Sequence, residues 1–204
     1  MRKPLIVMAL ESEGQGKLEE LGHEVLYCGV GKVNAAYHLT RRLATDSARD
    51  RFSHVLNLGS AGSPSFNRGG LVAADRFVQR DMDVTALGFA HGETPFENHP
   101  TVITFPKVFE RLPHGVCGSG DSFLQTASPI PADIFDMEAY ALAKVCLHEQ
   151  IPFACVKYIT DGADGAASTD WENNLKDAAQ AFLKLLPRIH KLHASMAEAF
   201  PDRG

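Results

Sequence analysis

The stretch Phe153-Ala154-Cys155-Val156-Lys157-Tyr158-Ile159-Thr160 runs directly into Asp161-Gly162-Ala163-Asp164. A nearly unbroken apolar run closed by a Gly- and Asp-bearing turn is the pattern of a strand covered on both faces of a sheet. Comparable runs occur at Leu5–Leu10, Glu24–Val30, His54–Leu58, Leu71–Gln79, Thr101–Phe105, Gly115–Gly118 and Ile134–Met137. Amphipathic stretches lie among them. Val33–Ala44 is one, and Glu138–His148 is another, opening on an acid as the helix dipole favours. The longest is Trp171–Met196, where Trp171, Leu175, Ala178, Phe182, Leu185, Ile189, Leu192 and Met196 step by three or four and form one stripe. Thr169 or Asp170 would cap its start, and Pro187 should kink or split it. Strands mixed with helices predict an α/β fold with a mainly parallel sheet. Residues 1–204 read as a single domain without repeat or linker. The Gly- and Pro-bearing segment Ala90–Pro100 reads as an exposed loop.

Composition narrows the function classes without naming one. The chain has 204 residues, 45% hydrophobic and 22% charged, enough to bury a core unaided. A net charge of −5 and a pI near 6.0 offer no basic face for nucleic acid. The longest N-terminal apolar run, Leu5–Leu10, is too short for a membrane span or a signal peptide. Cys28, Cys117, Cys146 and Cys155 are widely spaced, with no C-x-x-C. They read as buried thiols in a reducing compartment. Nine scattered histidines give no metal-ligand pattern. The expectation is a soluble, cytoplasmic, globular protein.

Several turns and strand ends carry chemically useful residues. Gly29-Val30-Gly31-Lys32 lacks both the spacing of a phosphate loop and the third glycine of a dinucleotide fingerprint, so it reads as a tight turn into a helix. Gly59-Ser60-Ala61-Gly62-Ser63 follows a strand but is not a nucleophile elbow. Its small residues, Ser60 among them, either form a plain turn or let backbone amides approach a ligand. Gly118-Ser119-Gly120-Asp121-Ser122-Phe123 ends in an aromatic able to stack on a flat ligand or to join the core. Asp136-Met137-Glu138-Ala139 places two carboxylates between a strand and a helix. Thr160-Asp161-Gly162-Ala163-Asp164 places two more at a strand end, and Asp164 is expected only to stabilise the turn. Glu11 and Glu13 would finish the first strand. Acids from three sequence-distant strand ends, Glu13 (or Glu11), Glu138 and Asp161, would converge where open α/β sheets bind ligands.

Together these segments resemble the 5′-methylthioadenosine/S-adenosylhomocysteine nucleosidases of the purine and uridine phosphorylase superfamily. The matching segments are Ala9–Glu13, Gly29–Ala35, Asn57–Gly62, Asp81–Phe89, Ser119–Phe123, Asp136–Ala139 and Ile159–Asp164, in the family's order. The resemblance implies a three-layer α/β sandwich around a mixed, twisted sheet, usually a homodimer. It implies hydrolysis of the N-glycosidic bond of a 5′-thio-substituted adenine nucleoside, without metal or organic cofactor. Glu13 matches the acid that activates water, Glu138 with Met137 the ribose-binding pair, and Asp161 the acid that protonates adenine at N7. Phe123 matches the aromatic stacked on the base, and Leu124 the residue whose backbone reads its edge. Leu10, Val84, Leu87 and Phe89 match the lining of the 5′-thio pocket, which Trp171 would extend. Lys157 stands where the family commonly has arginine, near the water and the catalytic acid. Ser12 interrupts an acidic run, and the segment between Phe123 and Glu138 is shorter than usual.

Three other readings compete. A nucleoside phosphorylase would need arginines for phosphate, whereas this chain offers Asn57 and an acidic N-terminal turn. A nucleosidase for another purine nucleoside, such as a futalosine-type compound, shares the same acids. A non-catalytic purine-binding protein would have no need of all three.

Overall fold

The computed structural model describes residues 2–44, 51–124, 128–163, 174–185 and 187. Eight strands form one mixed sheet: β1 (Lys3–Met8), β2 (Glu24–Tyr27), β3 (Phe52–Gly62), β4 (Leu71–Gln79), β5 (Val102–Thr104), β6 (His114–Ser119), β7 (Ile134–Asp136) and β8 (Phe153–Asp161). The helices are α1 (Glu11–Gly14), α2 (Lys17–Glu20), α3 (Lys32–Leu43), α4 (Ala139–His148) and α5 (Ala178–Leu183), with 3₁₀ turns at Thr85–Leu87 and Leu175–Asp177.

The strand pairing closes on itself. β3 pairs in parallel with β8, and β8 antiparallel with β4. β4 and β6 are parallel, as are β6 and β7. β7 returns to β3 through the single antiparallel pair Gly62–Phe135. β1 and β2 extend the sheet beyond β3, and β5 flanks β4. Closure leaves the ring strands fewer open edges.

Alternation along the central strands sorts side chains into two cores, the period-2 consequence of an extended backbone. Leu5, Val7, Val55, Cys155 and Ile159 pack with Ala35 and Leu39 of α3 and Leu142 and Cys146 of α4. Ile6, Met8, Leu56, Leu58, Ala154 and Val156 pack instead with Leu18 of α2 and Phe182 of α5. This is helix–sheet–helix layering, with both sheet faces buried, which is why the strands read as continuous apolar runs.

Two expectations need correction. Glu11 and Glu13 do not finish the first strand, because the chain turns into α1 there and the Glu13 carboxylate folds back onto the Ala9 and Leu10 amides. Gly59–Gly62 is not a turn but the second half of β3, held residue by residue against β8. The long C-terminal stripe is described only in part: α5 ends before Pro187, while Thr169, Asp170, Trp171 and Ile189–Met196 lie outside the described residues.

Phe153 anchors the larger core, its ring edge-on to Phe77 at 5.2 Å and to Phe105 at 5.4 Å. Phe153→Ala removes a fully buried ring from a close-packed site and should cost about 3–5 kcal/mol. Urea unfolding should show a lower midpoint at unchanged slope.

Candidate active site

A cavity of about 240 Å³ opens at the carboxyl ends of β1, β3, β4, β6, β7 and β8. Of the residues expected at the site, Leu10, Glu13, Ser60, Phe123, Leu124, Met137, Glu138 and Asp161 line it. Val84, Leu87, Phe89 and Lys157 are not among its lining residues. Thr85–Leu87 forms a surface 3₁₀ turn, leaving the Leu87 side chain 72% exposed. Lys157 is 1% exposed, lying behind the cavity rather than on its wall. Trp171 and Asp164 lie outside the described residues.

Glu13 is 3% exposed and surrounded by donors. One oxygen, Oε1, accepts the Ser60 N–H and the Ser60 hydroxyl, each at 2.7 Å. The other accepts the Ala9 and Leu10 amides at 3.2 and 3.1 Å. The β1–α1 turn and the last part of β3 therefore hold this carboxylate in one orientation at the cavity wall.

Asp161 ends β8. The β3–β8 register slips between Ala61 and Gly62, so that Gly62 faces Asp161. Such irregularities re-aim side chains near sites. A Cβ on Gly62 would lie 2.3 Å from Asp161 Oδ1, so only glycine admits the carboxylate there. Asp161 Oδ1 accepts the Ala163 N–H and Oδ2 the Thr160 hydroxyl, both at 2.9 Å.

Asp136 and Glu138, two residues apart, have separate tasks. Asp136 Oδ2 accepts the Ala139 N–H at 2.8 Å, capping α4. It also meets the Lys157 ammonium at 2.8 Å, and its Oδ1 accepts the Ser119 hydroxyl. Burial raises the Asp136 carboxyl, but the ammonium and these donors outweigh it and hold the group below its usual range. Glu138 does not cap its own helix. Its Oε1 instead accepts the Gly31 N–H at 2.8 Å, reaching the start of α3. Burial, and then the Asp136 charge, push Glu138 up to about 8, partly offset by Lys157 and the Gly31 amide. The shift favours the protonated form of Glu138 at neutral pH, with burial the first cause and ionised Asp136 the second.

Arg80 was not anticipated and lines the cavity. Its guanidinium donates to the carbonyls of Gly120 and Ser122, fixing the turn that leads to Phe123. Its place directly after a predicted strand was the available signal. Among the described residues no group of three or more His, Cys, Asp or Glu side chains is arranged to hold a metal ion.

The model of the phosphorylase superfamily matches residues 15–191. The 5′-methylthioadenosine/S-adenosylhomocysteine nucleosidase of Geobacillus thermodenitrificans is 31% identical over 192 residues, covering 84% of this chain and 80% of its own. The chain belongs to this nucleosidase family. Its fold matches those of two Helicobacter pylori proteins: a futalosine hydrolase mutant (TM-score 0.82, 23% identity, 94% of this chain and 99% of that one) and a nucleosidase of the same family with a bound pyrrolidinol ligand (TM-score 0.81, 23% identity, 93% and 98%). Members of the family are N-glycosidic hydrolases, and in this chain Glu13, Glu138, Asp161 and Phe123 line one cavity.

The state of Glu138 has a thermodynamic signature. The unfolded chain releases this proton near 4.5 and the folded chain near 8. Between those values the folded state binds more protons, so the Glu138 contribution to stability is full below about 4.5 and is lost as pH rises toward 8. Glu138→Gln removes that loss. Its melting temperature should exceed the wild-type value by a margin that widens from pH 5 to 8 and then levels off. Asp136, held below its usual range, titrates below this window and does not enter the comparison. A margin independent of pH would exclude a protonated Glu138.

Proposed function

We propose that this chain hydrolyses 5′-methylthioadenosine and S-adenosylhomocysteine, releasing adenine. The observation that carries the reading is the convergence of Glu13, Glu138 and Asp161, from three separate elements, on one cavity with Phe123 at its mouth. In this scheme Phe123 stacks on the base and the Leu124 backbone reads its edge. Met137 and Glu138 hold the ribose hydroxyls. Asp161 delivers a proton to N7 as the C1′–N9 bond breaks and its electron pair moves to adenine. Glu13 orients a water and accepts its proton as the water oxygen bonds to C1′. Positive charge on the sugar favours nearby carboxylates, as in other two-carboxylate glycoside hydrolases.

Hydrolysis is favoured over phosphorolysis by one contact. The Ser60 amide and hydroxyl, donors that an anion would need, are already given to Glu13. A carboxylate there repels phosphate.

We further place the enzyme in the cytoplasm as a homodimer. Leu87 and Phe96, the latter 94% exposed, leave apolar surface beside the Val84–Phe89 segment. A second copy covering that surface would bring Val84, Leu87 and Phe89 to the 5′ side of the cavity. Light scattering should give twice the chain mass, and Leu87→Glu should shift it toward the monomer while raising KM.

The deciding experiment is adenine release from a panel of purine nucleosides, including a futalosine-type substrate, with and without phosphate. Methylthioadenosine should turn over without phosphate, and Asp161→Asn and Glu138→Gln should each lower kcat/KM by roughly 10²–10⁴-fold. Strict dependence on phosphate, with ribose 1-phosphate as product, would replace this reading by the phosphorylase.

A further inference from the structure

Three motif segments meet beside the cavity in a charge cluster that the reaction scheme does not use. The Lys32 ammonium pairs with Asp81 Oδ1 and lies 3.7 Å from Asp121 Oδ2. Asp121 Oδ1 accepts the Lys32 N–H at 2.8 Å, and Asp81 Oδ2 accepts the Asp121 N–H at 2.9 Å. Each of the three residues is thus held by both of the others. Burial raises the Asp81 carboxyl, but Lys32 and the Asp121 amide more than offset it and hold the group below its usual range.

The location gives the cluster its meaning. Lys32 opens α3, and the amide before it, Gly31 N–H, is the one that holds Glu138. The next residue but one after Asp121 is Phe123. From its other side the same turn is held by Arg80, the neighbour of Asp81, through the carbonyls of Gly120 and Ser122. Two successive amides at the start of α3 therefore go to two different carboxylates, Gly31 to Glu138 and Lys32 to Asp121.

We propose that Asp121, with Lys32 and Asp81, is a positioning residue. It ties the turn carrying Phe123 to the helix start that orients Glu138, so that base and sugar contacts are set as one unit. The proposal rests on the nucleosidase reading for the roles of Phe123 and Glu138. The ion pairs are partly exposed, with Asp121 44% and Asp81 30% accessible at the side chain, so they contribute little to global stability. Their value lies in geometry, where a misplacement of about 1 Å can cost about 10²-fold in rate.

Asp121→Ala should keep the wild-type melting temperature within a few degrees. Its kcat/KM for methylthioadenosine should fall by about 10²-fold. Asp121→Asn retains an oxygen for the Lys32 N–H and should recover to within about tenfold of wild type. Hydrogen exchange on the full chain gives a readout independent of turnover: Asp121→Ala should speed exchange in residues 29–33 and in residues 119–124 together, and Asp121→Asn should restore both. Kinetics unchanged by Asp121→Ala, an Asn variant as impaired as Ala, or faster exchange confined to one of the two segments would each overturn the proposal. If the wild-type chain releases no adenine from any nucleoside, the nucleosidase reading falls separately, and the exchange result alone decides whether the tie exists.

Discussion

An ammonium group enclosed by a ring of strands must find a counter-charge, because leaving it bare in a low-dielectric interior is prohibitive. Lys157 of β8 meets that demand through Asp136 of β7, a strand that does not pair with β8. The contact therefore spans the ring rather than following a hydrogen-bonded edge. Both side chains are almost wholly inaccessible, at 2% and 1%. Losing either partner of such a pair typically costs about 3–5 kcal/mol, because the survivor stays charged and buried. The remaining Asp136 contacts, from Ser119 and the Ala139 amide, anchor it to β6 and to the start of α4. The Ser119 hydroxyl in turn accepts the Tyr140 N–H at 2.8 Å, so the first turn of α4 is held twice.

That anchoring separates the duties of two neighbouring acids. Asp136 takes up the helix-capping role and the lysine charge, leaving Glu138 free to leave its helix and reach Gly31. Burial, with Asp136 ionised nearby, raises the Glu138 carboxyl. A neutral carboxyl costs less to bury beside ionised Asp136 than a second negative charge would.

Much of this was legible in the sequence, and the boundary of legibility has a physical cause. β4, at Leu71–Gln79, and α4, within Glu138–His148, were readable because burial on two faces and amphipathic periodicity are local patterns. Asp161 was readable because a strand end leaves a mark in the chain, an apolar run that stops on an acid; Glu13 lies beyond its strand, in α1, and Glu138 between β7 and α4. What was not readable depends on contacts between distant segments. Small residues such as Gly59–Gly62 look like a turn until β8 is seen to need a flat partner. Glu138 looked like a helix-dipole residue because nothing local shows that Asp136 already fills that place. Lys157 was expected near the water and the catalytic acid, and only the ring shows that its head is bonded to Asp136.

Gly59 shows how closely the buried charge and the Glu13 carboxylate are set together. A Cβ there would lie 3.3 Å from the Lys157 ammonium and 3.3 Å from Glu13 Oε1, so both groups crowd one point on β3. The cation is thus placed between two carboxylates, bonded to Asp136 and adjacent to Glu13. Cys117 and Cys155 flank the ammonium, yet they add no competing charge: burial raises both thiols, Cys155 to about 12 and Cys117 well above its usual value. A lysine suits this position because its compact head serves one carboxylate directly and acts on the second through space. Arginine would spread the same charge over a planar fork and need more room against Gly59. The Lys157–Asp136 pair thus fills the ring interior and places a positive charge behind Glu13.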